Sequence, residues 1–278
     1  MTMEEQERAA VIAGVVIAGG QGERLGDGPA KALRPIGQST LGARATRILM
    51  RVLGGGPTLY STDPDIDLPE GVPTGVEVVD DPFPDQGPLA GITASLESLV
   101  GRADRLVVIP CDMPLLHPAV LRRLMTVEAE DRVITIGRPD GPPGPFPSVW
   151  PVSLTGQALA IFSGGERSPT RAMQEIGMEI LPRDLLLDDV ETTLSDPDLI
   201  GLDDVDDAQD MEAIQRSAPR VRLLLEGRRS ATTAWDLGSI AQTLSLPNPA
   251  DSGWVVNGRP VGWDPELPLV ERDAVSIL

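Results

Sequence analysis

The sequence predicts an α/β protein: a mostly parallel sheet with helices on both faces, followed by a small α+β unit. Three observations carry this. Residues 11–18 (VIAGVVIA) and 105–110 (RLVVIP) are continuous apolar runs, as strands buried on both faces would be. Strand-like runs alternate with helical stretches, which implies crossover connections and parallel pairing. Around Pro219 the texture changes to short strand-like runs about a single helix.

The elements follow in order. After the first apolar run, residues 19–31 (GGQGERLGDGPAK) read as a loop. Ser39 or Thr40 can cap a helix running to about residue 53, where Gly54-Gly55-Gly56 ends it. Short strands are expected at about 58–61 and 76–79, a helix over 89–99, and then the second buried strand at 105–110. Pro118 suits the first turn of a helix to about residue 128, with another strand at 132–136. Beyond a boundary near Ser217 come a strand at 221–225, a helix at 234–244, and strands at 253–256 and 274–278. The expected domains are residues 1–217 and 218–278, the second of a size at which many small domains fold alone.

Composition narrows the function. A length of 278 residues suits one large domain or two unequal ones. The formal charge of −19 argues against a general nucleic-acid or anionic-membrane binder. A single cysteine, Cys111, excludes a disulfide framework and a Cys-rich metal site, and it suits a reducing cytosol. A single histidine, His117, leaves little for His-based zinc binding. The first apolar run is shorter than the roughly 20 residues a membrane span needs. Its flank, MTMEEQER, is acidic where a signal peptide begins positively charged. A soluble, cytoplasmic protein is expected, with no membrane partner. Residues 184–212 hold twelve acids and no base, yet Leu, Ile and Val are spread through them, so this stretch reads as partly folded.

The 23 basic residues comprise 22 arginines and one lysine, Lys31. Most exposed positions accept either cation, so the exception points to a place where a compact ammonium on a flexible stem is needed; position alone leaves chance survival open. Lys31 closes the glycine-rich loop. Such a loop after a buried strand can cradle phosphate through bare backbone N–H groups. The dinucleotide spacing GxGxxG and the P-loop GxxxxGK[ST] are both absent. Glycines 19, 20, 22 and 26 free the backbone, and Arg24 and Lys31 offer two cations; a generic turn-rich loop would show the same glycines.

The whole string over residues 17–41, IAGGQGERLGDGPAKALRPIGQSTL, is more specific. It resembles the nucleotide-binding signature of the nucleotidyltransferases that include sugar-nucleotide pyrophosphorylases. Its short form looks most like molybdenum cofactor guanylyltransferase and its cytidylyltransferase relative. The resemblance implies a Rossmann-like fold of the nucleotide-diphospho-sugar transferase type. It implies that Ile17, Ala18, Gly19 and Gly20 lie against the nucleotide, with Arg24 and Lys31 on phosphate. The segment Gly87-Pro88-Leu89-Ala90-Gly91 is similar to a family segment in which Gly87 and Gly91 let backbone approach base or ribose, and Asp81 matches an acidic nucleotide contact. Cys111-Asp112-Met113-Pro114 resembles the family's metal-binding Asp-x-Pro, making Asp112 the expected Mg²⁺ ligand; an Asp in a proline turn is the plain alternative. Asp206, in Asp204-Val-Asp-Asp-Ala-Gln-Asp-Met211, matches a second metal or substrate contact, although Asp207-Ala208 stands where the family has Thr-Pro. Gly165-Glu166-Arg167 is similar to a segment near the second substrate, and equally to a salt-bridged surface loop. Phe146-Pro147 stands where guanylyltransferases often carry His-Pro, so acceptor recognition is expected to differ.

The activity implied is transfer of GMP from GTP to the phosphate of molybdopterin, with Lys31, Arg24 and Asp112 as catalytic residues and pyrophosphate as leaving group. CTP, or a different phosphorylated acceptor, is the alternative within enzymes. A non-catalytic nucleotide-binding or assembly protein is the alternative outside them. Residues 219–278 resemble the ubiquitin-like β-grasp sulfur carriers of molybdopterin and thiamine synthesis, through VRLLLEG, a middle helix, Val255-Val256-Asn257-Gly258-Arg259-Pro260-Val261 and the closing strand. Working carriers end in Gly-Gly, whereas this chain stops at Ile277-Leu278. The expectation is therefore docking of a molybdopterin-pathway protein, not thiocarboxylate transfer.

Overall fold

The computed structural model describes residues 10–20, 28–81, 86–137, 143–225 and 227–277. Its main sheet has seven strands: β1 (Ile12–Ile17), β4 (Thr58–Thr62), β5 (Glu77–Asp80), β6 (Arg105–Pro110), β7 (Val133–Ile136), β8 (Ser148–Pro151) and β9 (Met178–Leu181). Their order is β5-β4-β1-β6-β8-β7-β9. All neighbours pair in parallel except β8, which runs antiparallel to both β6 and β7. The expected strand positions agree to within about a residue or two, and β8 and β9 are additions. In β8, Ser148, Val149 and Trp150 are buried, but only these three residues separate Pro147 from Pro151, too few for a periodicity to show.

Two apolar layers sandwich this sheet. Helices α1 (Leu41–Leu53) and α3 (Pro118–Met125) cover one face; Ala45, Ile48, Leu49, Val120, Leu121 and Leu124 meet Val16, Val107 and Ile109 there. Helices α2 (Pro88–Ser98), α4 (Thr155–Ser163) and α5 (Pro169–Ile176) cover the other, against Ala13, Val15, Leu106 and Val108. Alternate residues of β1 and β6 thus enter opposite layers, which is why their sequences are apolar throughout. The Thr40 hydroxyl accepts from the Ala43 N–H to cap α1, and Gly54, at φ 60°, ends it.

The acidic stretch folds into α6 (Arg183–Leu187), α7 (Val190–Ser195) and α8 (Ala208–Arg216). Several of its acids have local work. Asp189 and Asp207 cap the N-termini of α7 and α8, where carboxylates meet unpaired N–H groups. Among the described residues no helix is long and apolar enough to cross a membrane.

The second sheet contains β10 (Arg220–Leu225), β11 (Arg228–Thr233), β12 (Trp254–Val256), β13 (Arg259–Val261) and β14 (Ala274–Ile277), in the order β11-β10-β14-β12-β13. First and last strands pair in parallel, and the other pairs are antiparallel. Helix α9 (Leu237–Thr243) packs on it. It starts three residues later than the sequence suggests, because the Asp236 carboxylate accepts from Ser239 N–H and sets the cap there.

A two-stranded hairpin, β2 (Pro35–Ile36) and β3 (Ser39–Thr40), leads from the glycine-rich loop into α1. Ile36, Leu41, Val205 and Met211 share an apolar cluster with Trp235 of the second unit. The Gln38 side-chain amide donates to Asp236 and to Ser239. Arg44, 2% exposed, donates to the carbonyls of Pro114, Trp235 and Leu269 at 2.6–2.8 Å.

Candidate active site

The carboxyl ends of β1, β4 and β6 converge at one edge of the main sheet, the position where open α/β sheets present their ligand crevice. At the end of β6, Cys111 N–H donates to the Ile17 carbonyl at 3.1 Å, so the residue after β6 is tied to the last residue of β1. This places Asp112 beside the glycine-rich loop. Lys31 comes from the opposite direction, at the start of a single 3₁₀ turn (Lys31–Leu33), with its N–H 3.4 Å from the Gly20 carbonyl. The Lys31 Nζ lies 2.7 Å from Asp112 Oδ2, the two side chains being 14% and 22% exposed. Partial burial strengthens this pair and still leaves both groups open to a ligand.

Burial pushes the Asp112 carboxyl above its ordinary pKa. Lys31 opposes that shift, and the charge of Asp204 adds to it. Val205 N–H donates to the Asp112 carbonyl at 2.9 Å, which lays the segment before α8, including Asp204, along the turn after β6. Asp206, the residue expected from the sequence, is exposed at this position, and its N–H is taken by the Asp210 carboxylate at 3.0 Å. Within the segment it is the charge of Asp204 that acts on Asp112. Sequence reasoning missed it because both are acids in one acidic run, and the backbone pairing that selects between them leaves no composition signal. Burial also raises the Cys111 thiol far above its usual range, which suits a buried filler rather than a nucleophile.

Ala18 N–H donates to Ser61 carbonyl at 2.8 Å, carrying the β1–β4 pairing past the strand end. A Cβ on Gly19 would sit 3.6 Å from Asp63 N and 4.0 Å from Asp81 Oδ2, so this glycine runs beside two buried aspartates. A Cβ on Gly20 would meet none of the described residues within 4 Å. Gly87, at φ 80°, precedes Pro88 in the first turn of α2, and its neighbour across the gap is the Arg167 carbonyl. The Gly165-Glu166-Arg167 segment is thereby brought to the α2 N-terminus. Its Glu166 carboxylate accepts from the N–H groups of Arg167 and Ser168, which lowers its pKa, and the Arg167 guanidinium lies over the Phe162 ring. Leu89 is fully buried in the apolar layer below. Gly91 packs directly on Ser61 and Ile17, a closeness that any side chain would prevent. Arg24 lies outside the described residues. Arg34 folds back on Gly28, where its guanidinium fills the space a Cβ would need. Among the described residues no group of three or more His, Cys, Asp or Glu side chains forms a closed metal cage.

An NTP-transferase family model, described as the MobA-like NTP transferase domain, matches residues 14–177. The chain belongs to this family. The match spans β1 through α5, including Lys31, Gly87, Gly91 and Asp112, and residues 178–278 lie outside it. The molybdenum cofactor guanylyltransferase of Cupriavidus taiwanensis is 32% identical over 163 residues, covering 56% of this chain and 78% of the relative. That of Rhizobium meliloti is 30% identical over 167 residues, covering 57% and 72%. In structure, the molybdopterin-guanine dinucleotide biosynthesis protein A of Archaeoglobus fulgidus superposes with a TM-score of 0.57 at 16% identity, over 74% of this chain and 97% of its own. That likeness shows the shared fold. A MobA-like chain thus carries Lys31 and Asp112 in contact at the crevice of its sheet.

Proposed function

We propose that this chain is a molybdenum cofactor guanylyltransferase, joining GMP from GTP to the phosphate of a molybdopterin-type acceptor with release of pyrophosphate. The observation that carries the reading is the Lys31–Asp112 pair at 2.7 Å, held at the carboxyl ends of β1 and β6 in a MobA-like domain. Relatives named for this activity support the substrate choice.

Nucleotidyl transfer asks for positioning and charge neutralisation more than for covalent chemistry. An acceptor phosphate oxygen attacks the α-phosphorus, the bond to the bridging oxygen breaks, and pyrophosphate leaves. The attacking oxygen is already anionic, so no general base is required. The ammonium of Lys31 holds a phosphate oxygen and offsets the charge that develops there. The backbone at Gly19 and Gly20, free of side chains, gives the phosphates close approach, Asp81 lies beside Gly19, and Arg24 is assigned to the phosphate tail. Gly87, Pro88 and Leu89 set the α2 N-terminus beside the base or ribose, and Gly91 seats that helix.

A divalent cation fits the donors present. Asp112 and Asp204 are hard oxygen ligands whose mutual charge is unfavourable without one, and Mg²⁺ characteristically takes one or two carboxylates plus substrate phosphates rather than a closed protein cage. Bound at Asp112, with Asp206 or the nearer Asp204 as a second donor, Mg²⁺ would neutralise phosphate charge. The Lys31 ammonium, now on Asp112, would then turn to the nucleotide.

Residues 218–278 form the second domain of this reading, with 1–217 as the transferase. Its strand order, parallel first and last strands and single packed helix support a β-grasp unit. Its role here is docking of a molybdopterin-pathway protein. A reducing, cytoplasmic setting accords with one buried, unpaired cysteine.

Calorimetric titration with GTP, CTP, ATP and UTP in the presence of Mg²⁺ tests the assignment. GTP is expected to bind best, and Lys31→Ala to cost about 3–4 kcal/mol in transition-state stabilisation, roughly 10²–10³ in rate of pyrophosphate release. Lys31→Arg should fail as well if a compact ammonium is needed. Preference for CTP would move the chain to the cytidylyltransferase branch, and absence of binding by all four would overturn an enzymatic role.

A further inference from the structure

Where the two sheets meet on the α1 and α3 side lies a cavity of about 450 Å³. The chain as a whole has 42 acids and 23 bases, yet this wall inverts the ratio. Arg47 and Arg51 come from α1, Arg122 from α3 and Arg259 from β13, and the one acid among the lining residues is Asp264. Of the carboxylates that hold these arginines, only Asp264 is among the lining residues. Arg51 meets the fully buried Asp273 at 3.3 Å, and Arg122 and Arg259 share Glu191. Arg47 is held by Asp264 and Glu266 at 2.9 Å.

These bonds do not exhaust the donors. A guanidinium carries five N–H groups. Among the described residues, Arg47 bonds through Nε and Nη1, Arg51 through Nη1, and Arg122 through Nε and Nη2. Arg259 makes a single contact of 3.7 Å, and its side chain is 61% exposed. Each guanidinium keeps at least one nitrogen outside these bonds, and none of these nitrogens is buried without a partner. These nitrogens belong to residues that line the cavity.

The remaining wall is flat and apolar. Trp263 lines it and stacks on the buried Trp254, with centroids 5.5 Å apart and planes 27° apart. In a chain with only four tryptophans this is a fixed aromatic platform beside four cations. The cavity is also too large for an inorganic anion alone. We propose that it binds a small, flat organic phosphate, whose oxygens take the guanidinium donors and whose ring lies on the Trp263 side. Four arginines from three elements suit the three oxygens of a phosphate monoester better than a two-oxygen carboxylate. The site is separate from the nucleotide crevice. Arg51 lies ten residues along α1 from Leu41, about 15 Å at 1.5 Å per residue, while the first turn of that helix abuts the Lys31 segment. Both units supply its walls, so an occupant stiffens their docking.

Naphthyl phosphate, titrated calorimetrically into the full chain without nucleotide or Mg²⁺, is the probe. Two variants report on the cavity. Gly262→Glu sets a negative charge in the lining where a Cβ meets nothing within 4 Å, and Arg259→Ala removes the most exposed cation. The expected result is binding of equal strength by wild type and Lys31→Ala, a rise in the unfolding temperature with probe, and affinity about tenfold weaker in both cavity variants. Naphthol and inorganic phosphate, given separately, should each bind more weakly than the whole. No heat with millimolar probe, loss of binding in Lys31→Ala, or unchanged affinity in the two cavity variants would overturn the site. Inorganic phosphate binding as tightly as naphthyl phosphate would overturn its preference for a flat body.

Discussion

His117, the one histidine of the chain, has a structural place in the fold: it is 1% exposed, and its Nδ1 accepts from Ala119 N–H at 3.0 Å to cap α3. That bond requires a bare Nδ1, so the proton sits on Nε2, 3.8 Å from Asp273 Oδ1. Burial outweighs the attraction of Asp273 and lowers the imidazole pKa from 6.5 to about 4. The unfolded chain therefore takes up this proton first as pH falls. The stabilisation is complete above pH 6.5 and is lost progressively toward pH 4, by about 3 kcal/mol at 1.36 kcal/mol per pH unit. Urea denaturation across this range should show the loss in the wild type and not in His117→Asn, which can cap but cannot titrate. Parallel curves for the two proteins would show that His117 is not neutral in the fold. At this scale the sequence reveals the site through residue rarity. The sole lysine proves to be the partner of Asp112, since an otherwise arginine-only composition makes the exception visible. Asp204 has no such mark, being one of twelve acids in a run, and only folding distinguishes it.

Among the elements, β1, β6 and α1 were readable because each carries its own physical signature. The strands are buried on both faces and so are apolar at every position, and α1 has a threonine cap and a left-handed glycine at its ends. Strand β8 was not readable, since three residues between prolines are compatible with many local structures and only pairing with β6 and β7 makes them a strand. Helix α2 shows a third case, where a motif is legible and its mechanical reason is not. Gly91 reads as a place for backbone to approach a ligand, and the structure adds a demand of packing, with Ser61 and Ile17 directly against it. Gly91→Ala forces α2 away from β4 and β1, the strand that ends in Ile17. The expected cost is about 1–3 kcal/mol of stability together with weaker GTP binding. Replacing Ser61 with Gly in the same chain removes the clashing Oγ and Cβ and should restore part of both. Equal losses in the single and double variants, measured by denaturation and titration, would show that Ser61 is not what limits the approach.

At the scale of the whole molecule, the question is whether the second sheet is a tethered passenger or part of one folding unit. Tethered domains meet through modest, polar and easily parted interfaces. Here Arg44, 2% exposed, spends its guanidinium on three carbonyls, one in the turn after Asp112 and two in the second unit, with Trp235 against it at 5.1 Å. Burial lowers its pKa to about 9, so it remains a cation at neutral pH. Gln38 bonds Asp236 and Ser239, and Trp235 completes an apolar cluster whose other buried members belong to the first unit. Parting the units exposes that cluster and strands a buried arginine, which couples their unfolding. Calorimetry of the intact chain should therefore show one transition. Arg44→Leu keeps the site apolar but removes all three bonds, leaving the Pro114 and Leu269 carbonyls without this donor while the Trp235 carbonyl keeps the Leu269 N–H, at a cost of about 3–5 kcal/mol. Two of the three lost bonds cross the interface, so most of that cost falls there and the variant is expected to unfold in two resolved steps. Two transitions in the wild type would mean the contacts are too weak to join the units. A single, merely shifted transition in Arg44→Leu would mean that the apolar cluster around Trp235, rather than the arginine, holds them together.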